Sequence, residues 1–190
     1  MKKLLPRVEA AIRESLATKE RFLESCKEPL ARIARAAVQT LRRGGVLYLM
    51  GNGGSAADAC HIATELVGRF KRNRPAIAAV ALGTNVQLLT ALANDFGYEE
   101  SFAREVDALV RKGDLVIAIS TSGSSPNILR AVARAREKGA MIVGFTGATG
   151  GKLRGLVDLL LDVPSEDTPR IQECHLLAGH ILCEIIEDET

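Results

Sequence analysis

The chain has 190 residues, 47% of them apolar, which fits one domain of ordinary size with a full core and no need of disulfide or metal staples. Its 25 Lys and Arg stand against 23 Asp and Glu, a formal charge of +2 that excludes strong electrostatic attraction to nucleic acid or anionic lipid. Charges break up the N-terminal sequence before the apolar core of a secretory signal can form, and no run approaches the ~18 apolar residues of a membrane span. The four cysteines (Cys26, Cys60, Cys174, Cys183) form no CxxC pair and read as thiols in a reducing compartment. The expectation is a soluble cytoplasmic protein.

Residues 3–43, within an N-terminal extension over 1–44, carry apolar side chains at helical spacing: Leu5, Val8, Ile12 and Leu16, then Leu30, Ile33, Ala36, Ala37 and Leu41. They predict two helices with a break near residues 26–28, closed by Gly44 and Gly45. This extension packs either on the domain's own core or on a neighbouring subunit. The remainder alternates. Residues 45–50 predict a strand, followed by a glycine loop and a helix over 56–70. Residues 77–82 predict a strand, and 86–93 a helix. Residues 114–120 predict a strand, followed by a Ser/Thr loop and a helix over 126–138 that Gly139 ends. Strands over 140–145 and 157–163 and a final helix over 169–187 complete the series. No element is assigned to 94–113. Apolar strands without polar alternation, separated by helices, imply an α/β three-layer sandwich with a five-stranded parallel sheet covered on both faces. No composition shift marks a second domain, so 1–190 reads as one unit.

Open parallel sheets bind ligands at the carboxyl ends of their strands. Two loops there are chemically unusual. In Gly51-Asn52-Gly53-Gly54-Ser55 the glycines let backbone N–H groups approach an anion, and the following helix N-terminus adds positive potential. In Ser120-Thr121-Ser122-Gly123-Ser124-Ser125, five hydroxyls in six residues precede Pro126, a residue suited to a first helical turn. Either loop alone is as well explained by turn and cap chemistry. Two of them in equivalent strand-to-helix positions favour a phosphate-bearing ligand. Nucleotide motifs are excluded in detail. The first loop is not GxGxxG, and Gly150-Gly151-Lys152-Leu153 lacks the Ser/Thr of a Walker loop.

His61 and Glu65 are four apart on the helix after the glycine loop and share one face. Gln172 and His180 lie on the last helix. The four together have the donor types of a divalent transition-metal site, zinc being favoured by imidazole. Alternatively, Glu65 and His180 form a proton-transfer pair. Gln172 and His180 are eight apart, ~12 Å along a helix, so sharing one ion requires the side chains to lean together or a second subunit to supply one of them. His175 has no nameable partner and reads as structural. Cys60 and Cys174 read as buried apolar residues.

Five segments then form a recognisable set. They are Gly51-Asn52-Gly53-Gly54-Ser55-Ala56-Ala57-Asp58, His61-Ile62-Ala63-Thr64-Glu65-Leu66-Val67-Gly68-Arg69-Phe70, Ala93-Asn94-Asp95, Ser120-Thr121-Ser122-Gly123-Ser124-Ser125-Pro126-Asn127, and Arg170-Ile171-Gln172-Glu173-Cys174-His175-Leu176-Leu177-Ala178-Gly179-His180. In this order and spacing, along nearly the whole chain, they resemble the phosphoheptose isomerases of the SIS-domain (sugar isomerase) class. The resemblance implies a flavodoxin-like SIS fold and a homotetramer that binds a phosphorylated heptose and neither nucleic acid nor membrane. It implies conversion of sedoheptulose 7-phosphate to D-glycero-D-manno-heptose 7-phosphate, the first step towards ADP-heptose and lipopolysaccharide. It further implies one Zn2+ per subunit on His61, Glu65, Gln172 and His180, with Glu65 as base and His180 as acid. Asn52, Gly53, Gly54, Ser55, Glu65, Arg69, Asn94, Asp95, Ser120, Thr121, Ser122, Ser125, Thr168 and Gln172 would bind the substrate. One departure is Thr84-Asn85-Val86-Gln87, where the family often has Thr-Asp-x-Ser. The rival readings are isomerisation of another phosphosugar, and a non-catalytic relative that binds the replication initiator. The latter lacks equivalents of Glu65 and His180, which this chain keeps.

Overall fold

The computed structural model describes residues 4–190. Five strands, β1 (Leu47–Gly51), β2 (Ala79–Ala81), β3 (Leu115–Ile119), β4 (Met141–Thr146) and β5 (Leu159–Asp162), pair in parallel in the order β2-β1-β3-β4-β5. Among the described residues there are six α-helices, α1 (Leu5–Arg42), α2 (Gly54–Val67), α3 (Val86–Phe96), α4 (Ser101–Leu109), α5 (Pro126–Glu137) and α6 (Thr168–Glu189). The central strands bury side chains on both faces, and alternation divides those side chains between two cores. Leu47, Leu49, Leu115, Ile117, Ile119, Val143 and Phe145 pack under α1, α2 and α6. Tyr48, Met50, Val116, Ala118 and Ile142 pack under α4 and α5. The five-stranded parallel sandwich is therefore as the sequence predicts.

Two expectations on the helices fail. The N-terminal region is one helix of 38 residues rather than two, and Pro29 lies inside it. Proline removes one helical hydrogen bond and kinks the chain, yet the buried residues on either side (Phe22 and Cys26 before it, Leu30 and Ile33 after it) enter the same core. That shared burial carries the helix through the predicted break. The other failure is α4, unassigned from sequence. Its nine residues bury only Ser101, Phe102, Ala103 and Val106, too short an apolar face for periodicity to reveal.

The strand register sets where the loops emerge. Leu47 pairs with Leu115 and Gly51 with Ile119, so β1 and β3 end flush. The order of the sheet reverses between these two strands, the position where loops diverge and leave a crevice.

His175 bears out its structural reading. It is fully buried on α6, its ring tilted against Phe145 at 5.6 Å and its Nε2 at 3.1 Å from the carbonyl oxygen of Thr146. A carbonyl only accepts, so Nε2 carries the proton. Burial pushes its pKa down to about 4, with the Thr146 bond acting in the opposite sense. The folded protein holds the ring neutral, whereas the unfolded chain protonates it below its ordinary value of 6.5. The stabilisation is thus complete above about pH 6.5 and is lost progressively as pH falls to about 4, on the order of 3 kcal/mol across that window. Urea unfolding of the protein and of a His175→Gln variant at both ends of the window should show that this part of the pH dependence is missing from the variant.

Candidate active site

The flush ends of β1 and β3 set the glycine loop and the serine loop side by side. Gly51 must lack a side chain, because a Cβ there would come within 2.6 Å of the Ser55 backbone where α2 begins. Gly53 adopts a φ of 56°, the left-handed region that favours glycine. Across the crevice the amides of Asn52 and Asn127 bond reciprocally, each Nδ2 donating to the other's Oδ1 at 2.9 Å. The Tyr98 hydroxyl adds a bond to Asn52 Oδ1 at 2.8 Å. In the serine loop, Ser120 Oγ lies 3.2 Å from Ser125 Oγ and 3.5 Å from Ser122 Oγ, ahead of the N-terminus of α5, where the Ser125 side chain makes no cap bond and Asn127 Oδ1 accepts from the Ile128 amide at 3.0 Å. This is a cradle of neutral hydroxyl donors backed by a helix dipole, the chemistry that holds a phosphate without a lysine.

The carboxylate and imidazoles meet between α2 and α6. The Nε2 atoms of His61 and His180 are 2.8 Å apart, and Glu65 Oε1 is 3.7 Å from His61 Nε2. At 2.8 Å one ring donates an N–H and the other presents its lone pair. The Phe70 ring stacks on His180 with centroids 5.6 Å apart. The close approach is possible at Gly179, where a Cβ would lie 2.5 Å from Ile62 Cδ1.

Two imidazoles and a carboxylate fit zinc in donor chemistry. His61 and His180 would supply its nitrogen ligands and Glu65 an oxygen. Among the described residues no three His, Cys, Asp or Glu side chains form a ready-made cage. Gln172 lies over Gly54, where a Cβ would meet its Nε2 at 2.3 Å, two turns of helix before His180.

The other residues predicted for the site are spread around these two centres. Ser55 is buried at the start of α2. Thr168 opens α6 and, with Thr121 and Ser122, lines a cavity of about 310 Å³. Asn94 and Asp95 are exposed at the end of α3 and bond to each other at 2.8 Å. Arg69 is exposed after α2. Within one chain no hydrogen bond links the serine loop to the α2–α6 group among the described residues. In the departing segment, Asn85 caps α3 by accepting from the Leu88 amide at 3.0 Å, the work an aspartate does at that position. Cys174 is buried, and burial pushes its thiol up to about 11. Cys60 departs from expectation. It is only partly buried and lines a groove with Ala63, Thr64 and Val67, because it faces away from the α6 contact.

Four further residues belong to the site. Asn127 directly follows the serine loop and Pro126 in sequence, and that adjacency is the signal that could have marked it, although its partner is Asn52 of the glycine loop. Asp58, one turn before His61, has a buried Oδ2 without a hydrogen-bond partner, and burial raises its carboxyl while His61 opposes. Tyr98 carries no sequence signal, since a short 3-10 turn outside any periodic segment delivers it, whereas Phe70 falls in the span predicted as helix 56–70, but α2 stops at Val67 and the bend that follows lays its ring on His180.

Residues 12–147 match the family model of the SIS domain. The chain is 53% identical over 176 residues to the phosphoheptose isomerase of Roseiflexus sp. (strain RS-1), covering 93% of this chain and 89% of that protein. Its fold is similar to that of phosphoheptose isomerase from Neisseria gonorrhoeae, with a TM-score of 0.92, 40% identity and coverage of 97% and 99% of the two chains. Phosphoheptose isomerase from Francisella tularensis gives a TM-score of 0.94 at 35% identity, covering 97% and 98%.

The Gly54–Gln172 contact yields a direct test. The atom in the way is the tip of a flexible side chain, so a Gly54→Ala methyl should evict the amide and leave the fold intact, alanine being the better helix former by up to ~1 kcal/mol. The variant should melt at or above the wild-type temperature, while the Gln172 side-chain amide resonances move in an NMR spectrum.

Proposed function

Because the chain belongs to the phosphoheptose isomerase family of SIS-domain proteins, we propose that this isomerase converts sedoheptulose 7-phosphate to D-glycero-D-manno-heptose 7-phosphate. The observation that carries the reading is the continuous contact Glu65–His61–His180 between α2 and α6. A ketose–aldose interconversion moves a proton between C1 and C2 through an enediol and needs a base at carbon and an acid at oxygen. Glu65 takes the proton from C1 and returns it to C2. His180 moves a proton between the oxygens on those carbons. Each such role is worth roughly 10²–10⁴ in rate.

The phosphate end goes to the hydroxyls of Ser55, Ser120, Ser122 and Ser125 and the amide-rich loop ends, with Thr121 and Thr168 beside them. Asn52, Gly53, Gly54, Arg69, Asn94, Asp95 and Gln172 contribute to the sugar site. A zinc ion held by His61, Glu65, Gln172 and His180, one per subunit, would polarise the substrate's oxygens as a Lewis acid. Glu65 keeps its second carboxylate oxygen for the proton. The product feeds heptose for lipopolysaccharide, a cytoplasmic step. Among the described residues no helix is long and apolar enough to cross a membrane. The non-catalytic reading is not favoured, since Glu65 and His180 are both kept.

The homotetramer is part of the same proposal. The first half of α1 exposes Leu5, Val8, Ile12 and Leu16 in one helical stripe. Beyond it, Leu23 with Leu177, Ile181 and Ile185 lines an apolar groove between α1 and α6. A second copy of the chain covers both.

Assay with sedoheptulose 7-phosphate, following aldose formation before and after chelation, tests the chemistry. Turnover should fall on chelation and return with zinc. Glu65→Gln should stay folded and lose at least about 10² in turnover, and wild-type turnover in that variant removes Glu65 from the mechanism. For the assembly, the double variant Ile12→Asp, Leu16→Asp should elute as a smaller species by light scattering, with an unchanged tetramer counting against the stripe.

A further inference from the structure

Glu187 lies near the end of α6, seven residues beyond His180, and is 7% exposed. Its carboxylate accepts the backbone N–H groups of Phe70 (3.1 Å), Lys71 (2.8 Å) and Arg72 (3.0 Å) and the Nε of Arg74 (3.0 Å). Four donors fill the four acceptor sites a carboxylate has. Arg74, itself largely buried, turns its other nitrogens to α2. Nη1 donates to the carbonyl of Leu66 at 2.8 Å and Nη2 to the carbonyl of Glu65 at 2.9 Å. These belong to the last turn of α2, whose carbonyls lack partners within the helix.

The knot therefore gathers three pieces of backbone, and each carries a group of the site. The end of α2 carries Glu65. The turn over residues 70–72 carries Phe70, whose ring lies on His180. The helix α6 carries His180 itself. We infer that Arg74 and Glu187 are positioning residues for the isomerisation, holding Glu65, Phe70 and His180 in working register without touching the substrate. The inference rests on the assignment of Glu65 and His180 as the proton-transfer pair. A displacement of about 1 Å in such a group costs up to about 10² in rate.

The test uses the full-length, metal-loaded protein and a Glu187→Gln variant, which keeps the shape but turns an NH2 group towards backbone donors. Well below the melting temperature, kcat should fall about 10- to 100-fold with KM within about twofold. The His180 ring protons, displaced in an NMR spectrum by the Phe70 ring current, should move towards the positions of an unstacked imidazole. A Phe70→Leu variant leaves the knot intact and should reproduce both changes, and it decides the matter if Glu187→Gln does not fold. A folded Glu187→Gln protein with lower melting temperature but unchanged kcat and unchanged His180 resonances overturns the inference, as does Phe70→Leu with wild-type kcat. If the wild type does not turn over sedoheptulose 7-phosphate, the assigned reaction fails. The His180 resonances then judge the knot by themselves.

Discussion

The site depends first on how closely α2 and α6 approach each other. At Gly179 the missing side chain lets Ile62 press against the α6 backbone, and a Cβ there would sit 2.5 Å from Ile62 Cδ1. Each helix places a histidine next to this contact, His61 before Ile62 and His180 after Gly179. Their nitrogens meet because the two backbones do. A protein interior is too closely packed to absorb an extra methyl group without movement, and movement here separates the imidazoles.

The second constraint is topological. Parallel strands need crossover connections, and the order β2-β1-β3-β4-β5 sends the crossovers after β1 and β3 to opposite faces. The loops that leave these strands are neighbours only because the register ends both strands together. The Asn52–Asn127 amide pair then ties them. The hydroxyl cradle thus sits at the carboxyl ends of the central strands, and the carboxylate–imidazole group lies on one face of the sheet. An elongated, singly phosphorylated sugar suits such an arrangement, with its charged end at the helix termini and its reacting end among titratable groups.

Much of this is legible in the residues for particular reasons. The five strands are apolar runs bounded by glycine or polar loops. The His61–Glu65 pair falls four apart on a helix. The serine loop is dense in one kind of donor. The misses have reasons too. Pro29 is a local signal for a break, and burial on both sides of it overrides that signal. The helix α4 has too few buried positions for a period to show. Residue type alone points Cys60 inwards, whereas exposure depends on which face of α2 meets α6.

The amino-acid sequence by itself determined the strand and helix alternation, the chemistry of the two loops and the presence of a His/Glu pair on one helical face. Each of these is a property of neighbours within one or two turns of chain, where spacing translates directly into geometry. Only the tertiary structure decided that His180 touches His61, that Gln172 rests on Gly54 and that Glu187 gathers three amides and an arginine. Those contacts join residues more than 100 positions apart. No local pattern encodes such a meeting, because it follows from how α2 and α6 are pressed onto the same sheet.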